Sequence, residues 1–492
     1  MKVRAQAATL WLLDRCTGCG ACVAACKTVW TSHAGSEHMW WIRLAHASTG
    51  GTAEIADEEG GGRAGGWKVE RDRLKPVSFR RRHIFTRLFH HPQGPVFENR
   101  DEPWRLDFES ALRAPLAPEI PHVQLVSAIT GEPLLATGTT PLRSTEAVKT
   151  DRDGTSQGDE IPLVSLETTG RPGEAFRFPL PVLCAQCLNP SCVAACPSSA
   201  LYKRAEDGVV LVDPTLCRGW AVCVPACPYG MTATNWQGGQ SGKCHFCFPL
   251  VETGRAPFSV SACPTGAVST GWILYDQDGI GSVAAGPEAE LVPKLRQLVL
   301  DPTDSTVIRL ASGEVPPSIL EAARHSPVYH YFVTWELALP LHPEWRTLPM
   351  SFYVPPLPPG GRSLGNRGDS LSDSLDGTAA ALARLFAAGE VRWILRSWRR
   401  QRAVLHFQQA RRRPGASRTE SADEELRACG LDHRTAREIL DWGERIRKGE
   451  FSSPLRSAWE ATADNESESR LQRIRAAEAG GPGASGFHTG EG

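Results

Sequence analysis

The chain has 492 residues, with 54 Lys and Arg against 55 Asp and Glu and a formal net charge of −1. That balance offers no long-range attraction to nucleic acid, and no run of about 20 apolar residues is available to span a membrane. The length allows two or three domains and a large core, and the 15 cysteines point to metal chemistry.

The opening, Met1-Lys2-Val3-Arg4-Ala5-Gln6, lacks the apolar core and cleavage site of a signal peptide. Assembly in a reducing, intracellular site is expected, with export as a folded passenger on a partner's signal left open. Residues 8–13 read as a strand that feeds the first cysteine group, Cys16-x2-Cys19-x2-Cys22-x3-Cys26, and residues 20–30 as a short helix. An insertion of residues 46–175 follows. Its Gly-rich stretch at 60–66 is a loop, and without a following Gly-Lys-Ser/Thr it is no phosphate loop. The run from Gly239 to Cys244 fails the same pattern.

Residues 176–275 hold three more groups: Cys184-x2-Cys187-x4-Cys192-x3-Cys196-Pro197, Cys217-x2-Trp220-x2-Cys223-x3-Cys227-Pro228, and Cys244-x2-Cys247-x11-Ser259-x3-Cys263-Pro264. Strand-like runs at 208–212 and 271–275 lie between the cysteine loops. Short strands, loops and helices in alternation predict an α+β fold with two ferredoxin-like units. One pairs residues 1–45 with 240–275, and the other joins the second and third groups. Residues 276–360 read as a packing region of helix-like segments with a Pro-rich extended end at 354–359. A polar linker is expected at 361–376 and a mainly helical, partner-docking region at 377–475. There a helix is expected over 378–388, started by Thr378 and stopped by Gly389. Val391, Ile394, Leu395 and Trp398 keep helical spacing among Arg392, Arg396, Arg399 and Arg400, which suits a helix docked on a partner or on this chain's own core. Residues 476–492 are Gly/Ser-rich and expected to be disordered.

The cysteine spacing has a physical reason. A loop written C-x2-C-x2-C can wrap one inorganic core with three thiolates, while the fourth Cys of the run points away to a neighbouring core. The proline after the last Cys removes a backbone donor and ends regular pairing. Structural zinc uses isolated C-x2-C knuckles, and the third and fourth Cys of each run have no zinc role. Disulfide frameworks suit small secreted domains. Haem c attachment needs C-x-x-C-H, and no pair here is followed by His. Only Cys429 lies outside the groups, and it reads as an ordinary buried thiol.

Beyond the cysteines, the chain resembles the β, iron–sulfur, subunit of respiratory membrane-bound nitrate reductases. The resemblance is carried by Lys27-Thr28-Val29-Trp30-Thr31-Ser32, by Cys187-Leu188-Asn189-Pro190, and by Tyr202-Lys203-Arg204 with Glu206-Asp207-Gly208. It is narrowed by Cys217-Arg218-Gly219-Trp220, by the stretch from Leu337 to Glu344, and by Arg346-Thr347-Leu348-Pro349-Met350. It runs from residue 1 to about 360 and is looser beyond.

The resemblance implies how ligands divide. Cys16, Cys19, Cys22 and Cys263 would hold one [4Fe–4S] cluster, and Cys184, Cys187, Cys192 and Cys227 another. Cys196, Cys217 and Cys223 would hold a [3Fe–4S] cluster, with Trp220 at the missing thiolate position and apolar bulk filling the corner. Cys26, Cys244 and Cys247 would hold a third [4Fe–4S] cluster with residue 259, where the family has Cys and this chain has Ser259. That centre is expected to be Ser-ligated, converted to a three-iron form, or absent. The resemblance further implies a haem b membrane γ subunit that oxidises quinol and a molybdenum α subunit that reduces nitrate. This chain would carry electrons between them at the cytoplasmic face of the membrane, touching neither substrate nor nucleic acid. Related molybdenum enzymes acting on selenate, chlorate, dimethyl sulfide or a hydrocarbon, and an iron–sulfur scaffold or sensor, are the competing readings.

Overall fold

The computed structural model of the chain describes residues 1–33, 35–48, 65–71, 73–77, 104–107, 124–127, 177–235, 237–358, 371–412 and 416–451. A five-stranded sheet runs through the middle of the molecule, in the spatial order Val299–Leu300, Val268–Asp276, Val3–Leu12, Ser351–Val354 and Leu339–Pro340. Val3–Leu12 is its central strand, antiparallel to Val268–Asp276 from Val3 opposite Asp276 to Trp11 opposite Val268, and parallel to Ser351–Val354. A strand covered on both faces should be apolar almost throughout. Ala5, Ala7, Ala8, Leu10 and Trp11 are all buried.

The strand begins at Val3, ahead of the expected start, because its two early polar residues are satisfied where they lie. Gln6 donates to Ala7 O at 2.8 Å and accepts from Lys203 Nζ, and Arg4 pairs with Glu314 at 2.7 Å. The same pairing joins the two ends of the first ferredoxin-like unit. Leu12 N donates to Ala267 O at 2.7 Å, which seats the first cysteine loop beside Cys263.

The insertion leaves and returns at one place. Ile42–Ser48 pairs antiparallel with Arg177–Leu183, Ile42 opposite Leu183 and Ser48 opposite Arg177. The expected boundary at 45/46 therefore falls inside a strand. Because the two ends are held together, a long excursion costs little loop-closure entropy. Within it, Trp67–Glu70 pairs with Arg73–Pro76 and Trp104–Asp107 with Gln124–Ser127. Of the Gly-rich stretch, residues 60–64 lie outside the described residues. Gly65 has φ +80°, and a Cβ there would meet Ala226 O at 2.5 Å, so this loop lies against the turn that carries Cys227. The region of the second and third cysteine groups contains two hairpins, Leu201–Lys203 with Val210–Val212 and Thr232–Thr234 with Ser241–Lys243.

Residues 276–358 contain short helices, among them Ile280–Ala285, Leu291–Leu298, Ser305–Ala311 and Pro317–Arg324. Four longer helices follow: Leu371–Phe386, Val391–Arg412, Ala416–Ala428 and His433–Arg447. The first begins seven residues ahead of Thr378, inside the expected linker, since Leu371 and Leu375 already carry the i, i+4 apolar spacing that Ala379 continues. Gly389, at φ +85°, ends that helix by donating to Ala383 O at 2.9 Å. The arginine-rich helix docks on the chain's own core. Ile394 and Trp398 are buried, Trp398 Nε1 donates to Pro356 O at 2.9 Å, and Arg396 and Arg400 meet Glu336 at 2.6 and 3.2 Å. The tail at 476–492 and residues 361–370 lie outside the described residues.

Candidate metal centres

The first thiol set grows from the end of the central strand. A 3₁₀ turn, Leu13–Arg15, delivers Cys16. Gly18 and Gly20 then take φ +73° and +71°, a left-handed path that lets the loop curl back on itself. The helix Ala21–Trp30 sets Cys22 and Cys26 one turn apart on one face. Burial pushes the Cys22 thiol up to about 11, with Cys16, Cys263 and Cys19 near enough to add to the shift. Cys16 is raised by burial and by Cys263 and Cys19. Ala267 N donates to Cys263 Sγ at 3.3 Å. Cys16, Cys19, Cys22 and Cys263 thus face one another.

The second set lies deeper. Cys26, Cys244 and Cys247 are all buried. Burial raises Cys26 well beyond an ordinary thiol, with Cys244 and then Cys247 adding to it, while burial, Cys184 and Cys247 push Cys244 up to about 12. Phe246 N donates to Cys244 Sγ at 3.4 Å and Trp30 Nε1 to Cys247 Sγ at 3.2 Å. Phe246 and Cys247 hold φ +59° and +49° in succession, backbone strain of the kind that clusters at functional sites. Ser259 is half-buried on the helical turn Phe258–Ser261. That turn packs on Ala21–Trp30, and the Phe258 backbone N–H faces the Cys247 sulfur.

The third set gathers Cys184, Cys187, Cys192 and Cys227. Burial, then Cys184 and Cys227, push Cys187 up to about 12. Cys192 is raised by burial and Cys227, with Lys243 pulling the other way. Met231 N donates to Cys227 Sγ at 3.4 Å, the same i+4 geometry as at Cys263. In the fourth set, burial pushes Cys223 up to about 11 against the Ser241 hydroxyl, with Cys217 and Cys196 nearby. Ser241 N donates to Cys217 Sγ at 3.4 Å. Burial would raise Cys196, but the Ser198 hydroxyl and the backbone N–H groups of Leu201, Ala200 and Ser198 outweigh it and lower the thiol.

Trp220 differs from expectation. It is 55% exposed and fills no enclosed corner in this chain. The adjoining Gly219 lies tight against Gly239, where a Cβ would stand 2.2 Å from Gly239 O. Cys429 is only partly buried, packed beside the core rather than within it.

The sets adjoin in order. Cys22 and Cys26 share a helix, and Cys244 of the second set lies near Cys184 of the third. The third and fourth interleave through Cys192 with Cys196 and Cys223 with Cys227. Buried thiols that lift one another's pKa are poor neighbours unless a cation lets them ionise together. Sulfurs that converge, accept backbone N–H groups and lie out of water suit iron–sulfur cores. Among the described residues no three His, Cys, Asp or Glu side chains close tightly on a single ion, whereas a cluster spreads its thiolates around a larger core.

Several supporting residues escape the cysteine pattern. Lys27 Nζ donates to Thr31 O at 2.8 Å and Met39 O at 2.9 Å, and so closes the helix C-terminus behind Cys26. Lys203 donates to Cys187 O at 2.9 Å and Lys243 to Cys244 O at 2.7 Å. Burial lowers Lys27 and Lys203 to about 7 each, with Cys26 and Cys187 among the groups that oppose it. Gln186 ties the second cysteine loop to the fourth, donating to Cys244 O at 3.1 Å and accepting from Val210 N at 2.9 Å. The sequence signal was position alone, a lysine adjoining Cys26 and another adjoining Cys244.

Comparison with known proteins agrees with the geometry. Residues 176–273 match a 4Fe-4S dicluster domain and residues 10–29 a 4Fe-4S binding domain. The chain is 35% identical over 439 residues to the Respiratory nitrate reductase 2 beta chain of Escherichia coli (strain K12), covering 86% of this chain and 84% of that protein. The chain belongs to the respiratory nitrate reductase beta chain family. It is also 34% identical over 374 residues to the Nitrate reductase beta chain of Bacillus subtilis (strain 168), 73% of this chain and 74% of the relative. The Chlorate reductase subunit beta of Ideonella dechloratans is 29% identical over 367 residues, covering 74% and 82%. As a nitrate reductase beta chain this is an iron–sulfur electron-transfer subunit of an oxidoreductase. No helix among the described residues is long and apolar enough to cross a membrane.

Proposed function

We propose that this subunit conducts electrons from a haem b membrane subunit that oxidises quinol to a molybdenum subunit that reduces nitrate to nitrite. The observation that carries the reading is the unbroken adjacency of the four thiol sets, from the exposed Trp220 turn to Cys19, which is also exposed. Cys16, Cys19, Cys22 and Cys263 would hold one [4Fe–4S] cluster, and Cys184, Cys187, Cys192 and Cys227 another. Cys26, Cys244, Cys247 and Ser259 would hold the third four-iron centre, and Cys196, Cys217 and Cys223 a [3Fe–4S] cluster. Bound clusters supply one-electron storage. The chain's own residues bury the sulfurs, donate N–H groups to them, and place the Lys27, Lys203 and Lys243 side chains nearby. On this reading Trp220 lies at the end nearest the haem subunit, and the chain is held at the cytoplasmic face of the membrane through that partner without contacting substrate. Nitrate is favoured over chlorate because identity is greater for the nitrate reductase relatives, 35% and 34% against 29%.

The assembled complex tests this. Cys187→Ala should abolish nitrite formation driven by quinol while leaving nitrite formation from an artificial dye donor that reduces the molybdenum subunit directly. Equal quinol-driven rates in variant and wild type would remove the electron route from this chain.

A further inference from the structure

Trp30 closes the helix that carries Cys26, and its indole N–H reaches across to Cys247 Sγ at 3.2 Å. The surroundings are aromatic and largely shielded from water. The Trp30 ring meets His245 edge-on at 4.3 Å, Phe258 at 6.1 Å and Trp41 at 6.3 Å between centroids. His245 Nδ1 and Trp41 Nε1 are buried in the same cage without a hydrogen-bond partner in the structure. Of these three ring nitrogens, only that of Trp30 donates to a sulfur. A hydrogen bond screened from water by packed rings is electrostatically stronger than one in open water.

We propose that Trp30 is a positioning residue that raises the reduction potential of the centre served by Cys247, offsetting the oxygen donor at Ser259. The proposal rests on the reading of Cys247 as a cluster ligand. A partial positive hydrogen aimed at the sulfur stabilises the electron-rich, reduced state more than the oxidised one, and hydrogen bonds to sulfur are among the levers that set cluster potential. An oxygen ligand is harder than thiolate and favours the oxidised state. The two act in opposite directions on one centre, and the turn that carries Ser259 also presents Phe258 to the Trp30 ring.

The test is an EPR-monitored redox titration of the full chain with its clusters assembled. Trp30→Phe keeps the ring and deletes the N–H. The reduced-to-oxidised ratio of one centre should fall about tenfold at fixed ambient potential, a shift of about −59 mV for one electron, with the other centres unmoved. Ser259→Cys should move the same centre upward. Full iron content with no midpoint changed in Trp30→Phe would overturn the proposal while leaving ligation by Cys247 in place. Cys247→Ala with unchanged iron content and unchanged EPR centres would instead remove the ligand reading, and this proposal with it. If Trp30→Phe does not assemble, the unaltered chain labelled with ¹⁵N-indole tryptophan answers the question. Pulsed EPR should find one weakly coupled indole nitrogen on a reduced centre, and its absence from every centre would overturn the proposal.

Discussion

The second and fourth thiol sets each have one position without a cysteine, and they differ in where that position lies. Ser259 is half-buried on a turn packed against the helix of Cys26, within reach of a main core that contains Cys26 and Cys244 themselves. Trp220 stands on an exposed turn above a small cluster formed by Cys192, Leu201, Val210 and Cys223. A missing thiolate in the interior leaves a space that the protein must fill with a weaker donor. At the surface it leaves an edge where a bulky side chain faces outward and is available to a partner. On the proposed ligand division, the same kind of substitution would retune a link in the middle of the path in one case and shape its end in the other.

The contrast is broken most sharply at Trp220. Trp220→Cys should restore a fourth thiolate and convert the three-iron centre, with complete loss of the EPR signal of an oxidised three-iron cluster. Full retention of that signal would show that position 220 does not face the cluster. Next in size is iron removal. Two of the four residues in the small cluster beneath the fourth set are cysteines, so that region has little apolar core of its own, and metal-binding energy there is folding energy. Chelated protein should be cut first between residues 196 and 235, then through the rest of 177–275. A loss of even ~3 kcal/mol raises the open population about 100-fold. Equal cleavage rates with and without iron would mean that the fold is self-sufficient.

A smaller effect is expected at Ser259. A serine must bind as alkoxide, and protons compete for it far more strongly than for a thiol. The second centre should therefore lose iron first in air. Ser259→Cys should slow that loss on the order of tenfold, by analogy with the cost of disturbing residues around a metal site, with the other centres unchanged. Timed iron counts and EPR measure it, and equal rates in variant and wild type would take position 259 out of the ligand set.

The cysteine groups were legible in the sequence because cluster chemistry dictates their local spacing. Which group meets which followed from the order of the elements and from the resemblance, and not from the spacing itself. Cys263 reaches Cys16 only because Val3–Leu12 and Val268–Asp276 pair in one register, and register is a property of the whole sheet. The buried lysines were hidden for a different reason. Lysine is ordinarily a surface residue, and a sequence does not show that carbonyl oxygens will surround Lys27 or Lys243. The exposure of Trp220 is likewise invisible in the cysteine spacing, since burial depends on which turns of the fold lie over it. The helix at 391–412 was readable from its apolar spacing, but its choice of this chain's core follows from Glu336 and the carbonyl groups of Trp335 and Leu337, far away in sequence.

The smallest effect separates the two sets by their protons. Burial raises Cys247, and burial with neighbouring thiols raises Cys26 and pushes Cys244 up to about 12, whereas hydroxyl and backbone donors lower Cys196 in the fourth set. The sign follows from linkage. A thiol raised in the fold keeps its proton where an unfolded one, near ~8.5, would lose it. Its contribution to the cluster-free fold is complete below ~8.5 and disappears as pH rises through the folded value. Protons therefore oppose iron throughout the neutral range, and release from the second set takes up one proton per thiol. Release from the fourth set takes up less at the alkaline end of the range, because the Cys196 thiol is lowered. Between pH 8 and 6, chelator-driven iron loss should speed up at both centres, with the steeper slope at the second by up to about tenfold per extra proton per pH unit. Parallel slopes, followed by EPR at each centre, would show that the difference in donors around Cys196 has no bearing on how firmly iron is held.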